Sequence, residues 1–266
     1  MQAQLPKGII YFAIGEKYIR EAMGSARSVR QAMPDIPLAM FASEEDAGII
    51  PQGLFDMRLP LDPLLGIKAQ KIASLRRTPF DRTLYLDADT YMSAPVPELF
   101  EMLDTVDLAM TIASLGRLPN GWEGVPRSFP VYNSGVIAYR RSKAISDLWD
   151  SWLREHGDRE PRDQPSLRRA LYRSDARISA LGNSYNFLVD FPQAVRHEVK
   201  ILHGRHGDLR GLAARVQPFA EVCCVLPAAY IDKTILIGKK TANVRWGEIL
   251  KGAFRSLRRA ARDRSN

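Results

Sequence analysis

The segment TLYLDADT, residues 83–90, joins an apolar run of strand length to two carboxylates, Asp87 and Asp89. Ligands of α/β proteins bind at the carboxyl ends of the sheet strands, so this position predicts a binding site. Two carboxylates separated by one small residue, Ala88, can both reach one hard cation such as Mg²⁺ or Mn²⁺. A solvated acidic turn is the alternative, because a D-x-D triplet also occurs by chance.

Apolar runs of strand length alternate with helical patterns on both sides of this segment. The predicted strands are residues 8–14, 37–43, 56–61, 83–90, 107–113 and 131–139. Helices are predicted after residue 14 through Val29, at 67–77, from Pro97, and at 142–156, where an apolar face contains Ile145, Leu148, Trp149 and Trp152. The alternation predicts an α/β fold with a mainly parallel sheet flanked by helices. Residues 114–130 are predicted to form a long loop, and 208–244 show no clear pattern.

The composition is that of a folded protein. A hydrophobic fraction of 45% and a charged fraction of 26% in 266 residues allow a substantial core and argue against extensive disorder. The two cysteines, Cys223 and Cys224, are adjacent, which suits neither a mutual disulfide nor a zinc site. No apolar run approaches the ~20 residues of a membrane span, and the first residues lack a signal-peptide pattern. We therefore expect a cytoplasmic protein.

The basic charge is concentrated near the C-terminus. Of the net charge of +8, residues 245–264 carry +5, from seven basic and two acidic side chains, which leaves +3 elsewhere. This asymmetry predicts a folded domain at 1–244 and a basic tail at 245–266. Apolar residues from Trp246 to Leu257 recur at helical spacing, so the tail is predicted to be an amphipathic helix. Such a helix is suited to bind an anionic membrane surface or to dock on the folded domain. Its basic residues are not interleaved with base-stacking aromatic residues, so we expect no nucleic-acid partner.

The carboxylate pair also fits a second class of enzyme. Phosphatases of the haloacid-dehalogenase type have an apolar strand followed by D-x-D-x-T, in which the first aspartate is a nucleophile and the second a general acid. They need a later apolar strand that ends in a second acidic pair. The nearest candidates here, Asp158 and Asp163, follow the polar helix SWLREH. This context argues against the phosphatase interpretation.

Further short motifs occur in a specific order around the carboxylate pair. FAIGEKY (12–18) follows the first strand, Asn133-Ser134-Gly135-Val136 begins a later strand, and Asp163-Gln164 opens a helix. Tyr185-Asn186 comes next, and KILHG (200–204) places His203 after an apolar run. Over residues 8–210 these motifs resemble the retaining glycosyltransferases of the glycogenin and bacterial galactosyltransferase kind, which have the A-type nucleotide-sugar fold.

The resemblance implies roles for individual residues. It implies Mn²⁺ or Mg²⁺ held by Asp87, Asp89 and His203. Tyr18 matches the aromatic residue that stacks on the donor base, and Lys71 matches a lysine that contacts the donor, with Lys68 as a near alternative. The catalytic and sugar-orienting residues are implied to be Asn133, Asp163, Gln164 and Asn186. The donor-binding residues are implied to be Ala13, Tyr18, Lys71, Asp87, Ala88, Asp89, Gly135, Asn186, Arg205 and Arg210.

The sequence departs from the family pattern after His203. The family continues H-x-x-G-x-x-K, and its lysine binds the donor phosphate, whereas this chain reads HGRHGDLR over 203–210. One inserted residue and an arginine for the lysine would restore the pattern, with Arg205 or Arg210 as the phosphate ligand. The planar guanidinium suits this role because it can donate two hydrogen bonds to one phosphate.

The implied function is that of a metal-dependent glycosyltransferase. It would move a hexose-type sugar from a nucleotide-sugar to a glycan or lipid-linked acceptor, with retention, in polysaccharide biosynthesis. UDP is the expected carrier, because the base loop is similar to that of UDP-sugar users, and GDP is the alternative. A lipid-linked acceptor suits a location on the inner face of the membrane. A catalytically inactive nucleotide-sugar-binding relative is the other alternative. Taken singly, Asp163 also suits a helix N-cap, and His203 a buried histidine.

Overall fold

A computed structural model describes residues 5–113, 124–156, 163–189, 193–195, 198–216 and 223–225. The predictions for the tail at 245–266, for the domain boundary at 244 and for most of the loop at 114–130 concern residues outside these ranges. Within the described ranges, no helix combines the length and the apolar character that crossing a bilayer requires.

A seven-stranded sheet forms the centre of the described fold. Its strands in chain order are β1 (Leu5–Phe12), β2 (Leu38–Ala42), β3 (Met57–Pro60), β4 (Phe80–Leu86), β6 (Leu108–Ile112), β7 (Tyr132–Arg140) and β8 (Ile178–Leu181), while β5 (Thr90–Met92) belongs to another sheet. The spatial order is β3-β2-β1-β4-β7-β6-β8. All neighbours are parallel except that β7 runs antiparallel to β4 and β6. The predicted α/β class and mainly parallel sheet are confirmed.

Helices cover both faces of this sheet, which explains why its central strands are apolar on both sides. The helices are α1 (Glu16–Ala32), α2 (Glu44–Ala47), α3 (Ile67–Arg76), α4 (Glu98–Glu101), α5 (Lys143–Glu155), α6 (Gln164–Tyr172) and α7 (Leu209–Val216). One core cluster contains residues of α1 and α4, and a second contains residues of α3, α5 and α6. The predicted apolar face of α5 is buried in the second cluster, with Trp152 fully inaccessible.

Two smaller sheets complete the described structure. The first pairs β5 with β11 (Ile201–His203) and β11 with β9 (Phe187–Leu188), and the second pairs β10 (Gln193–Val195) with β12 (Cys223–Val225). The predicted strand at 83–90 is therefore two strands, because the chain turns at Asp87 and continues in a different sheet. β5 and β11 run antiparallel, with Thr90 opposite His203.

One buried carboxylate links the three strands at the β8 edge of the main sheet. Asp107, which precedes β6, accepts hydrogen bonds from Arg140 Nε at 2.7 Å and from the Arg177 backbone at 2.9 Å. It thereby links the ends of β6, β7 and β8. Burial raises the pKa of Asp107, but hydrogen bonds from Arg177 and Arg140 lower it by more, to about 2.

Candidate functional site

A cleft of about 620 Å³ opens where β4 ends and β7 begins. Because β7 is antiparallel to β4, its first residues lie beside the carboxyl end of β4, and the Asp87 N–H donates to the Gly135 carbonyl at 2.8 Å. Most of the residues predicted from sequence line this cleft: Ala13, Tyr18, Lys71, Asp87, Ala88, Asp89, Asn133, Gly135, Asp163, Gln164, His203 and Arg205. Two predicted residues of the described chain, Asn186 and Arg210, do not line it.

Asp87, Asp89 and His203 form a group that can hold a metal ion. Each offers one ligand atom, and these atoms lie within 4.8 Å of one another. His203 Nε2 is 3.4 Å from Asp89 Oδ1 and 3.7 Å from Asp87 Oδ2. The β5–β11 ladder sets this arrangement, and the Gly204 N–H continues it by donating to the Asp89 carbonyl at 2.9 Å. Two carboxylates and one imidazole fit a divalent cation such as Mn²⁺ or Mg²⁺.

Lys71 joins the metal group to Asp163. Its ammonium lies 3.0 Å from Asp87 Oδ1 and 3.1 Å from Asp163 Oδ2. Burial lowers the pKa of Lys71, but the charges of Asp163 and Asp87 raise it by more, so the ammonium stays protonated. Ser134 also donates to Asp163 Oδ2 at 2.7 Å. Among the described residues, the Asp163 carboxylate makes no capping bond to α6, so the structure does not support the simple N-cap interpretation.

Tyr85 is a site residue that the sequence analysis missed. Its hydroxyl donates to Asp87 Oδ1 at 2.6 Å, and the side chain lines the cleft. Burial raises the pKa of Tyr85 well above its usual value, and the neighbouring Asp87 charge raises it further, so the phenol remains a donor. Strand alternation was the available signal, because Tyr85 lies two residues before Asp87 and shares its side of the strand.

Two buried asparagines, Asn186 and Asn133, support His203 on the Nδ1 side of its ring. Asn186 follows a 3₁₀ turn at Asn183–Tyr185 and is fully buried. Its side chain lies 2.9 Å from His203 Nδ1 and 2.9 Å from Asn133 Oδ1. The prediction that Asn186 orients a sugar hydroxyl does not fit this position, because the residue does not line the cleft and both ends of its amide are bonded to protein side chains. Gly135 leaves room for the imidazole, since a Cβ there would lie 2.7 Å from both ring nitrogens.

Tyr18 and Arg205 lie together in the lining of the cleft. The Arg205 guanidinium is centred 5.5 Å from the Tyr18 ring, and one of its nitrogens is 3.4 Å from the Tyr18 hydroxyl. The loop before Tyr18 turns at Gly15, which has a φ of 84° and donates its N–H to Asp46 Oδ2 at 2.8 Å. Arg210 is exposed on α7. Of the two predicted phosphate ligands, the structure therefore brings only Arg205 into the cleft.

The charged side chains that line the cleft have an excess of negative charge. Among the described residues, four carboxylates face two cations, which gives a net charge of −2 with His203 neutral: Glu21, Asp87, Asp89 and Asp163 against Lys71 and Arg205. A diphosphate would be repelled by this excess unless a divalent cation offset it.

Solved structures of glycosyltransferases share this architecture. The glycosyltransferase GlyE of Streptococcus pneumoniae TIGR4 matches with a TM-score of 0.54 and 20% identity, over 79% of this chain and 60% of the GlyE chain. The galactosyltransferase LgtC in complex with donor and acceptor sugar analogues matches with a TM-score of 0.52 and 17% identity, over 85% of this chain and 99% of the LgtC chain.

The chain has the A-type glycosyltransferase fold. It spans less than two thirds of the GlyE chain but nearly all of LgtC. In sequence, neither a protein-family model nor a curated protein matches. The expected resemblance in fold is thus confirmed by structure, at an identity too low for sequence comparison to detect. Within this A-type fold, the roles of the individual cleft residues stay predictions.

Proposed function

We propose that this protein is a metal-dependent glycosyltransferase that moves a hexose-type sugar from a nucleotide-sugar, with UDP as the carrier. The observation that carries the proposal is the Asp87, Asp89 and His203 group, which lies at the carboxyl edge of the A-type sheet in an acidic cleft. The excess negative charge of the lining favours a divalent cation, because a charge of +2 offsets the −2 that would otherwise repel the diphosphate. His203 beside the aspartates favours glycosyl transfer over the phosphatase alternative, which has no use for a third ligand of this kind.

Asp87, Asp89 and His203 would hold Mn²⁺ or Mg²⁺, which supplies a Lewis acid for the charge that grows on the departing diphosphate. Lys71 would add to this stabilisation, since its ammonium is already held beside Asp87. Arg205 would bind a phosphate oxygen and, by leaving the Tyr18 ring, expose that ring to the donor base. Lys71 and the three side chains of the metal group already lie together without the donor, which would reduce the reorganisation that the reaction requires.

Asp163 and Gln164 would contact the sugar. Both line the cleft at the start of α6, and Lys71 with Ser134 fixes the orientation of the Asp163 carboxylate. A carboxylate oriented in this way can accept hydrogen bonds from sugar hydroxyls. Retention of the anomeric configuration, a glycan or lipid-linked acceptor and polysaccharide biosynthesis belong to the same proposal, supported by the motif resemblance. A place on the inner face of the membrane is also part of it, supported by the basic amphipathic pattern of residues 245–266.

A panel of nucleotide-sugars tests the proposal. We expect Mn²⁺-dependent hydrolysis of one UDP-hexose, together with thermal stabilisation by UDP and Mn²⁺ that EDTA removes. Asp89→Ala should abolish both effects, whereas the control Asp104→Ala, an exposed aspartate paired with Arg82 outside the cleft, should keep them. Metal-dependent UDP binding without turnover of any donor would indicate the inactive relative. Hydrolysis of phosphate monoesters alone would favour the phosphatase.

A further inference from the structure

Three side chains from separate parts of the chain are joined by hydrogen bonds, and the last of them belongs to the metal group. Asn133 is on β7, Asn186 follows the 3₁₀ turn, and His203 ends β11. Asn133 Oδ1 lies 2.9 Å from the Asn186 amide, and the other end of that amide lies 2.9 Å from His203 Nδ1. All three are buried, with Asn186 wholly inaccessible, so water does not compete for these bonds.

The direction of every bond in this line follows from one backbone group. The Gly135 N–H lies 2.8 Å from the Asn133 side chain, and a backbone N–H can only donate, so the atom it meets must be Oδ1. Asn186 approaches the same oxygen and must therefore present its NH₂ there. Its remaining atom, the carbonyl oxygen, then faces His203 Nδ1. Because a carbonyl oxygen only accepts, Nδ1 must carry a proton.

We propose that Asn133 and Asn186 are positioning residues that fix the tautomer of His203. With the proton held on Nδ1, the lone pair of the neutral ring lies on Nε2, the nitrogen that faces Asp87 and Asp89. The link to metal binding rests on the proposed function, but the tautomer itself does not. Outer partners of this kind set the orientation and basicity of a ligating imidazole.

The reverse arrangement would be unfavourable at each step. If Asn186 turned over, its carbonyl oxygen would meet Asn133 Oδ1, so two buried acceptors would face each other. If Asn133 turned over, its NH₂ would meet the Gly135 N–H, so two donors would face each other. Gly135 itself has no side chain, which allows the imidazole to pack directly against β7. Within the N-S-G-V motif, Gly135 thus provides the space for the His203 ring, and Asn133 fixes the amide that bonds to it.

Nitrogen-15 NMR of the metal-free protein tests the proposal without any donor or acceptor. At a pH high enough for neutral imidazole, we expect His203 in the Nδ1–H form. His206 supplies an internal control, because its Nδ1 accepts from the Asp208 N–H at 3.1 Å and its proton must then sit on Nε2. Two histidines three residues apart should therefore show opposite tautomers in one spectrum, with signals assigned from His203→Gln and His206→Gln.

Variants at Asn186 separate positioning from simple packing. Asn186→Leu removes the acceptor, so His203 should shift toward the Nε2–H form and Mn²⁺ should bind about 10–100-fold more weakly in the presence of UDP. Asn186→Asp keeps an acceptor oxygen, so it should retain the Nδ1–H form and recover most of the Mn²⁺ affinity.

An Nε2–H signal for His203 in the wild-type protein would overturn the proposal, even if both variants failed to fold. An Nδ1–H signal that persists unchanged in a folded Asn186→Leu variant would overturn it as well. A protein with the expected tautomer but no glycosyl transfer would contradict the proposed function alone.

Discussion

Replacing Gly135 with alanine tests whether the metal group depends on the close packing of His203 against β7. A Cβ at this position would lie 2.1 Å from the imidazole Cε1 and 2.7 Å from both ring nitrogens, and ordinary contact begins near 3.4 Å. The Cε1 side of the ring must therefore move by about 1.3 Å, the difference between 3.4 and 2.1 Å. Metal–ligand distances tolerate deviations of only ~0.2 Å, so the moved imidazole could not serve the same ion.

The expected result is a selective loss of metal-dependent binding. Losing a correctly placed third ligand should weaken Mn²⁺-supported UDP binding by about 10–100-fold, the range seen when the support of a ligand is removed. The strain of an added methyl group in a packed site should lower the free energy of unfolding by ~1–3 kcal/mol. Binding of UDP in EDTA should change little, because Gly135 has no side chain to contribute.

Two other glycine-to-alanine changes serve as controls in the same calorimetric titration. Gly8→Ala would overlap the buried Phe80 ring on β4, away from the cleft, and should destabilise the protein without altering the ratio of UDP affinities with Mn²⁺ and with EDTA. Gly24→Ala on α1 meets no atom within 4 Å and should leave both properties intact.

A wild-type affinity ratio in Gly135→Ala would refute the reasoning, because the ring would then bind metal from a displaced position. A similar loss in Gly8→Ala would also refute it, since the effect would then follow from lowered stability.

The other predictions concern sugar contact, phosphate binding, stability and the tail. Asp163→Asn should lower turnover by orders of magnitude with UDP affinity nearly unchanged, as steady-state kinetics and calorimetry would show, and normal turnover would remove its catalytic role. Arg205→Ala should weaken UDP binding about ten-fold or more, whereas Arg210→Ala should not, and the opposite order would exchange their roles. Asp107→Asn should lower the free energy of unfolding by about 2 kcal/mol near neutral pH. The pKa of Asp107 is about 2 against the usual 3.8, so its ionised carboxylate stabilises the fold above pH ~4. That contribution is lost as the pH falls through ~2. If urea unfolding showed the same loss of stability in Asp107→Asn at neutral pH and near pH ~2, the ion-pair account would be contradicted. In co-sedimentation at low salt, the full chain should bind anionic liposomes and a version ending at Val244 should not, and equal behaviour would contradict the membrane prediction.

Most of the sheet was predictable because its strands are covered on both faces. Such strands are short apolar runs, and helical patterns separate them, as at Ile9–Tyr11 and Leu84–Leu86. The strand at 83–90 was predicted too long, because the pairing of Thr90 with His203 depends on a partner more than a hundred residues away. Local patterns carry no information about such a partner.

The site was predictable as a set of residues but less so as a set of roles. A motif names Asp163, yet whether its carboxylate caps a helix or meets Lys71 depends on how α3 and α6 approach the sheet. In the same way, the amide of Asn186 could serve a ligand or another side chain. Only the positions of Asn133 and His203 decide that it faces protein groups.

The antiparallel pairing of β5 with β11 also sets when the metal group can form during translation. Asp89 and His203 are 114 residues apart in the chain. At ~5–20 residues per second, the carboxylates leave the ribosome roughly 6–23 seconds before the imidazole that completes their group. A nascent chain that ends after β7 has both aspartates and most of the central sheet, but it has no third ligand. Metal binding by the complete group would thus follow the synthesis of the whole central sheet and would not precede it.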